Sequence, residues 1–196
     1  MDARFGGAVT QGPLRHAPNL LSALRLLAAP FAAWLILEGR DAAALLVFAA
    51  CGASDALDGW LARTYGFASD FGAWLDPAAD KLLMLFCFTA LYGVGATPAW
   101  LLGLVVGRDA AIAGGWLVVK AAGLSFQPRT LMAGKLSTAA QIGYILLVLA
   151  LLAFGIAAPT VTGVAAAVTG LLTAASGLAY AWLFLRGPVW GNRSPS

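Results

Sequence analysis

The chain has 196 residues, 61% of them hydrophobic and only 11% charged. That apolar share excludes an ordinary water-soluble globule, and several apolar runs near the roughly 20 residues needed to cross a bilayer make the class a polytopic helical membrane protein. The net charge of +3 comes from scattered basic side chains rather than a clustered patch, so nucleic acid is not an expected partner.

No run alternates as the strands of a membrane β-barrel do, and the length leaves no room for a second globular domain. Residues 1–18 carry Arg4 and Arg15 among polar and glycine-rich neighbours and read as a cytoplasmic arm, with His16 at the surface. The first helix is expected from about Leu20 to Leu37, too long for the apolar core of a secretory signal and therefore retained. It contains Pro30 and Arg25, and an arginine two turns into such a helix either snorkels to the interface or faces a polar cavity.

A tight turn, Glu38 to Asp41, leads to a second helix from about Ala42 to Ala62, which ends in Asp55, Asp58 and Arg63. After a short loop from Thr64 to Phe71 the third helix, about Gly72 to Gly95, opens with Asp76 and Asp80. A fourth, about Pro98 to Val119, carries Arg108 and Asp109 at its middle; a fifth, about Gly134 to Ala157, begins with Lys135, Thr138 and Gln141; a sixth runs from about Thr160 to Leu185. Residues 187–196 read as a disordered tail, which leaves 19–186 as one six-helix membrane domain. Cys51 and Cys87 fall in apolar runs and read as small packing residues.

Six spans put both termini on one side. Arg4, Arg15, Arg63, Lys120, Arg129, Lys135, Arg186 and Arg193 all fall on that side and only Arg40 on the other, so the termini are expected in the cytoplasm. The acidic residues at the end of the second helix and the start of the third then face the cytoplasm as well.

Those acidic residues are the chemical centre of the chain. Asp55 and Asp58 stand at i, i+3 and Asp76 and Asp80 at i, i+4, so each pair projects from one helix face. A carboxylate at membrane depth costs roughly 2.5–3.5 kcal/mol on insertion scales, and four of them demand compensating cations. Hard oxygen donors without a His or Cys cluster suit Mg²⁺, Mn²⁺ or Ca²⁺ rather than zinc or copper. Two such ions a few ångströms apart would neutralise the quartet and clamp a phosphoryl group undergoing in-line displacement. Gly59 and Gly72 would let a bulky ligand approach the backbone, and Arg63 can give a bidentate contact to phosphate. Asp70 lies outside the spacing pattern and reads as a solvated loop residue.

The spacing Asp55-x-x-Asp58-Gly59-x-x-Ala62-Arg63, eight residues, Gly72-x-x-x-Asp76-x-x-x-Asp80 resembles the signature of the CDP-alcohol phosphotransferases at every position. The resemblance extends to Pro18, Asn19, Ser22, Arg25 and Pro30, to Arg108, and to the Gly134-Lys135-x-x-Thr138-x-x-Gln141 segment. It implies a bacterial inner-membrane enzyme, a homodimer, that transfers a phosphatidyl group from CDP-diacylglycerol to an alcohol and releases CMP. Carried over by position, Asp55, Asp58, Asp76 and Asp80 would hold two divalent cations, Mg²⁺ or Mn²⁺, and Asp80 would also be the general base. Asp58, Gly59, Ala62, Arg63 and Gly72 would line the CDP site.

For the acceptor's phosphate the candidates are Arg108, Lys135, Thr138 and Arg25, while Arg108 can equally pair with Asp109 or an active-site carboxylate. Lys81, about 100° around the helix from Asp80, is expected to snorkel or to pair elsewhere. Arg108-Asp109, the segments Ser22–Pro30 and Gln127–Gln141 and the run Thr173–Trp182 resemble cardiolipin synthases of the eukaryotic and alphaproteobacterial type, which join CDP-diacylglycerol to phosphatidylglycerol. Phosphatidylglycerophosphate synthase, using glycerol 3-phosphate, is the alternative. A cation channel or transporter could also place carboxylates at this depth, but it would not require Gly59, Ala62, Arg63 and Gly72 at fixed offsets.

Overall fold

The computed structural model describes residues 17–65, 72–121 and 131–185, and side chains within 24–54, 78–121 and 131–184. The arm up to residue 16, the connections 66–71 and 122–130 and the tail from residue 186 lie outside the described residues, and with them His16, Asp70 and Arg129.

Among the described residues six helices follow one another: α1 (Ala17–Leu37), α2 (Asp41–Tyr65), α3 (Gly72–Gly93), α4 (Ala99–Ala121), α5 (Met132–Ala153) and α6 (Pro159–Leu185). The fold is all-α, with no strand among the described residues. By length and composition α4, α5 and α6 suffice to cross a membrane, and α1 and α2 contribute the shorter apolar stretches Leu24–Leu37 and Asp41–Ser54.

Boundaries differ from the sequence expectation by a few residues, each for a local reason. α1 starts three residues early because Pro18 is tolerated in a first turn, where its missing N–H has no helical partner to lose. α2 continues through Tyr65, since neither Gly nor Pro occurs in sequence between Gly59 and Gly66. α5 stops at Ala153, four residues early, because Gly155 takes φ +64°.

The three described turns use one device. After α1, α3 and α5 a glycine (Gly39, Gly95, Gly155) adopts a positive φ. In each turn the next residue's N–H bonds a carbonyl five residues back: Arg40 to Leu35, Ala96 to Leu91 and Ile156 to Leu151. These are Schellman caps, which satisfy the last carbonyls and reverse the chain within a few residues.

Packing centres on α1. Its small residues Ala29, Ala32 and Ala33 let it lie closely against α3, whose Ala79, Leu83, Met84, Cys87, Phe88 and Leu91 are buried. α1 also packs on α2, α5 on α2, α3 and α6, and α4 on α6 and α3. Beside this apolar core the pattern departs from that of a soluble protein: Leu27, Trp34, Leu46, Leu117, Val118, Leu171 and Leu178 point outward, while Arg25, Arg108, Ser137, Gln141, Thr173 and Ser176 are buried. With hydrocarbon outside, apolar side chains need no burial and polar ones must face one another.

Candidate functional site

The acidic motif occupies the two helix ends joined by the 66–71 connection. At 1.5 Å per residue, Asp55 and Asp58 lie about 15 and 10 Å from the end of α2, and Asp76 and Asp80 about 6 and 12 Å from the start of α3. Gly59, Ala62 and Arg63 ride on α2 and Gly72 opens α3. The side chains of residues 55–65 and 72–77 lie outside the described set, so Asp80 is the one member of the quartet whose carboxylate is described.

Asp80 is met by Arg25. Arg25 Nη1 donates to Asp80 Oδ1 at 2.9 Å; the arginine side chain is 3% exposed and the aspartate 41%. Of the two readings open for Arg25, snorkelling and a polar interior, the second is the observed one. The close α1–α3 contact delivers a buried cation to a carboxylate that stays half open to its surroundings. Such a carboxylate keeps access to a ligand while part of its charge is balanced from behind. Among the described residues no three ligating side chains converge, as follows from three of the four aspartates lying outside them. The one described carboxylate of the four, Asp80, is an oxygen donor of the kind that divalent cations take.

A second cluster joins α3, α4 and α6. Arg108 Nε and Nη2 donate to Ser176 Oγ at 3.3 and 2.8 Å, and Nη1 donates to Asp109 Oδ1 at 2.6 Å. Asp109 Oδ2 accepts from Lys81 Nζ at 2.8 Å, so the carboxylate bridges two cations. The guanidinium also lies 5.7 Å from the centre of the Tyr180 ring. Lys81 therefore pairs away from Asp80, as its position around the helix implies. Arg108 realises the expected ion pair with Asp109, and it does so while lining a cleft.

That cleft, about 560 Å³, is bounded by Lys81, Arg108, Gly134, Lys135, Thr138 and Tyr180 among others. Three of the four acceptor candidates, Arg108, Lys135 and Thr138, thus share one space. Arg25 does not line it; it belongs to Asp80. Gly134 has a packing reason: a Cβ there would lie 3.0 Å from Tyr180 Oη and 3.4 Å from Arg108 Nη2. Gln141 faces away from the cleft, donating through Nε2 to Ser137 Oγ at 3.3 Å and Thr173 Oγ1 at 3.1 Å within the α5–α6 seam. Ser176 and Tyr180 escaped assignment from sequence. Their i, i+4 spacing on one face of α6 is the signal that could have found them.

A family profile described as CDP-alcohol phosphatidyltransferase matches residues 15–184. The chain belongs to that family. Among its relatives, a probable cardiolipin synthase (CMP-forming) of Drosophila melanogaster is 38% identical over 104 residues, which is 53% of this chain and 32% of the fly protein. A cardiolipin synthase (CMP-forming) of Streptomyces coelicolor is 42% identical over 101 residues, 48% of this chain and 47% of that protein. The chloroplastic CDP-diacylglycerol–glycerol-3-phosphate 3-phosphatidyltransferase 1 of Oryza sativa subsp. japonica is 39% identical over 128 residues, 64% of this chain and 39% of that one. The matched stretches thus span from about a third to about half of these relatives' lengths. CDP-alcohol phosphatidyltransferases are transferases and are in general dependent on divalent cations. With three helices of spanning length, this member is an integral membrane protein.

Proposed function

We propose that the protein transfers a phosphatidyl group from CDP-diacylglycerol to an alcohol, with release of CMP, at the cytoplasmic face of a bacterial inner membrane. The observation that carries this reading is the half-exposed Asp80 carboxylate, held from α1 by the buried Arg25 within a complete family motif on α2 and α3. Asp55, Asp58, Asp76 and Asp80 would hold two divalent cations, Mg²⁺ or Mn²⁺, which when bound polarise the pyrophosphate. Gly59, Ala62 and Gly72 leave room for the nucleotide, Asp58 belongs to its site as well, and Arg63 contacts its phosphates.

Asp80 takes the proton of the acceptor hydroxyl, and Arg25 keeps its carboxylate aimed. The hydroxyl oxygen attacks the phosphorus that bears the diacylglycerol; the bond from that phosphorus to the bridging oxygen breaks, and CMP leaves. Arg108, Lys135 and Thr138 hold the acceptor's own phosphate in their shared cleft. Six membrane spans put both termini with the basic side chains in the cytoplasm, and two copies associate in the membrane as the family resemblance implies.

The acceptor is phosphatidylglycerol and the product cardiolipin. Support comes from Arg108-Asp109 on α4 and from the two relatives named cardiolipin synthase. The relative named for glycerol 3-phosphate keeps phosphatidylglycerophosphate synthesis as the second reading. An acceptor panel decides between them: labelled CDP-diacylglycerol is offered phosphatidylglycerol, glycerol 3-phosphate, inositol phosphate and serine, and the products are separated. Cardiolipin is expected from the first, whereas phosphatidylglycerophosphate as the sole product would overturn the assignment.

A further inference from the structure

Beside the polar cleft, and sharing Lys81, Arg108, Ile112 and Tyr180 with it, lies a second cavity of about 570 Å³ between α3, α4 and α6. Its volume falls within the roughly 300–1,000 Å³ of ligand sites. Apart from Lys81, Arg108, Asp109 and the amphipathic Trp116 and Tyr180 its walls are apolar, among them Met84, Leu85, Phe88, Val105 and Val106. On α3 the apolar wall continues for about 10 Å beyond Lys81, to Phe88. The reading of the function above leaves both this cavity and Lys81 unused.

Charge and connectivity together select an occupant. Where the two cavities join, Lys81 and Arg108 flank Asp109, and Lys135 adds a further positive charge on the cleft side, so the junction favours a phosphodiester anion. Asp109 grips both cations, at 2.8 and 2.6 Å, so their geometry is set before a ligand arrives and less ordering cost falls on binding. An ion with an apolar slot beside it suits a phospholipid and not a small polar phosphate. Among the described residues α2 supplies none to this cavity, and it packs on α1 and α5. The cavity also starts at Lys81, next in sequence to Asp80, on the side turned toward α4.

We propose that the α3–α4–α6 cavity receives an acyl chain of a phospholipid acceptor, with Lys81 and Arg108, preset by Asp109, taking its phosphodiester. The inference rests on the phosphatidylglycerol reading and extends it: the acceptor is selected as a lipid by its chain as well as by its phosphate.

Two measurements test it on the purified full chain. Val106→Trp, which fills the slot, and Lys81→Met are each expected to raise KM for long-chain phosphatidylglycerol by at least about tenfold, the loss of one charge-assisted contact or of a buried chain segment. KM for CDP-diacylglycerol stays within about twofold. Phosphatidylglycerol with a photoreactive group near the end of one chain, irradiated with the unaltered protein, should label peptides of α3 and α4. This second readout needs no variant to fold. A rise in KM for CDP-diacylglycerol instead, or labelling confined to α2 and α5, overturns the cavity assignment while cardiolipin formation continues. If the acceptor panel yields only phosphatidylglycerophosphate, the acceptor reading fails and takes this inference with it.

Discussion

At the scale of a residue, Arg25 ties α1 to the acidic motif on α3. It lies 55 positions from Asp80 in sequence, is buried, and spends its charge on a carboxylate that remains half open. A guanidinium placed behind a carboxylate orients it as an outer-shell partner orients a ligand, and loss of such partners costs about 10- to 100-fold. Arg25→Met is therefore expected to lower kcat for CMP release by about 10- to 100-fold with little change in KM for CDP-diacylglycerol, and Arg25→Lys to restore part of it. Steady-state kinetics of both variants check this; undiminished kcat in Arg25→Met would refute the positioning role. Asp109 teaches the converse lesson. Its neighbour Arg108 was visible as a candidate phosphate ligand, yet its grip on Lys81, 28 residues away, depends on how α3 meets α4.

Among the elements, the α4–α6 seam shows how glycine sets helix spacing. A Cβ on Gly170 would sit 2.5 Å from the Trp100 ring, and one on Gly115 would sit 2.8 Å from the Phe184 ring. Without side chains at these positions the aromatic rings close over the partner helix, and Arg108 reaches Ser176 across the same seam. Gly170→Leu is expected to destabilise the protein by about 1–3 kcal/mol through overpacking. Gly103→Leu, where nothing lies within 4 Å, should change little. Thermal unfolding of the detergent-solubilised variants measures the difference, and equal melting temperatures would mean that the seam does not constrain the fold. The glycines of α4 and α6 stand in the sequence, but which of them touch an aromatic ring depends on the rotation of α6 against α4.

Across the whole molecule, the number and order of helices could be read from apolar runs and turn residues; the turns at Gly39 and Gly95 fall where those runs stop, whereas the turn at Gly155 lies inside the expected fifth helix. The acidic motif was legible because helical period converts spacing into a shared face. Burial was harder to read, since hydrocarbon removes the usual rule that apolar means interior. Leu117 and Leu171 face outward while Gln141 is fully buried, and hydropathy alone ranks them in the opposite order. The cleft is equally a property of assembly: Lys81, Arg108, Lys135, Thr138 and Tyr180 come from four helices and share no local pattern.

The proposed role of Asp80 in phosphatidyl transfer from a CDP-linked donor is read out by CMP release from CDP-diacylglycerol, with phosphatidylglycerol and Mg²⁺ or Mn²⁺ present, in the unaltered protein and in Asp80→Asn. Removing both a general base and a cation ligand should lower the rate by at least roughly 100-fold. CMP release that continues undiminished in Asp80→Asn would contradict the account.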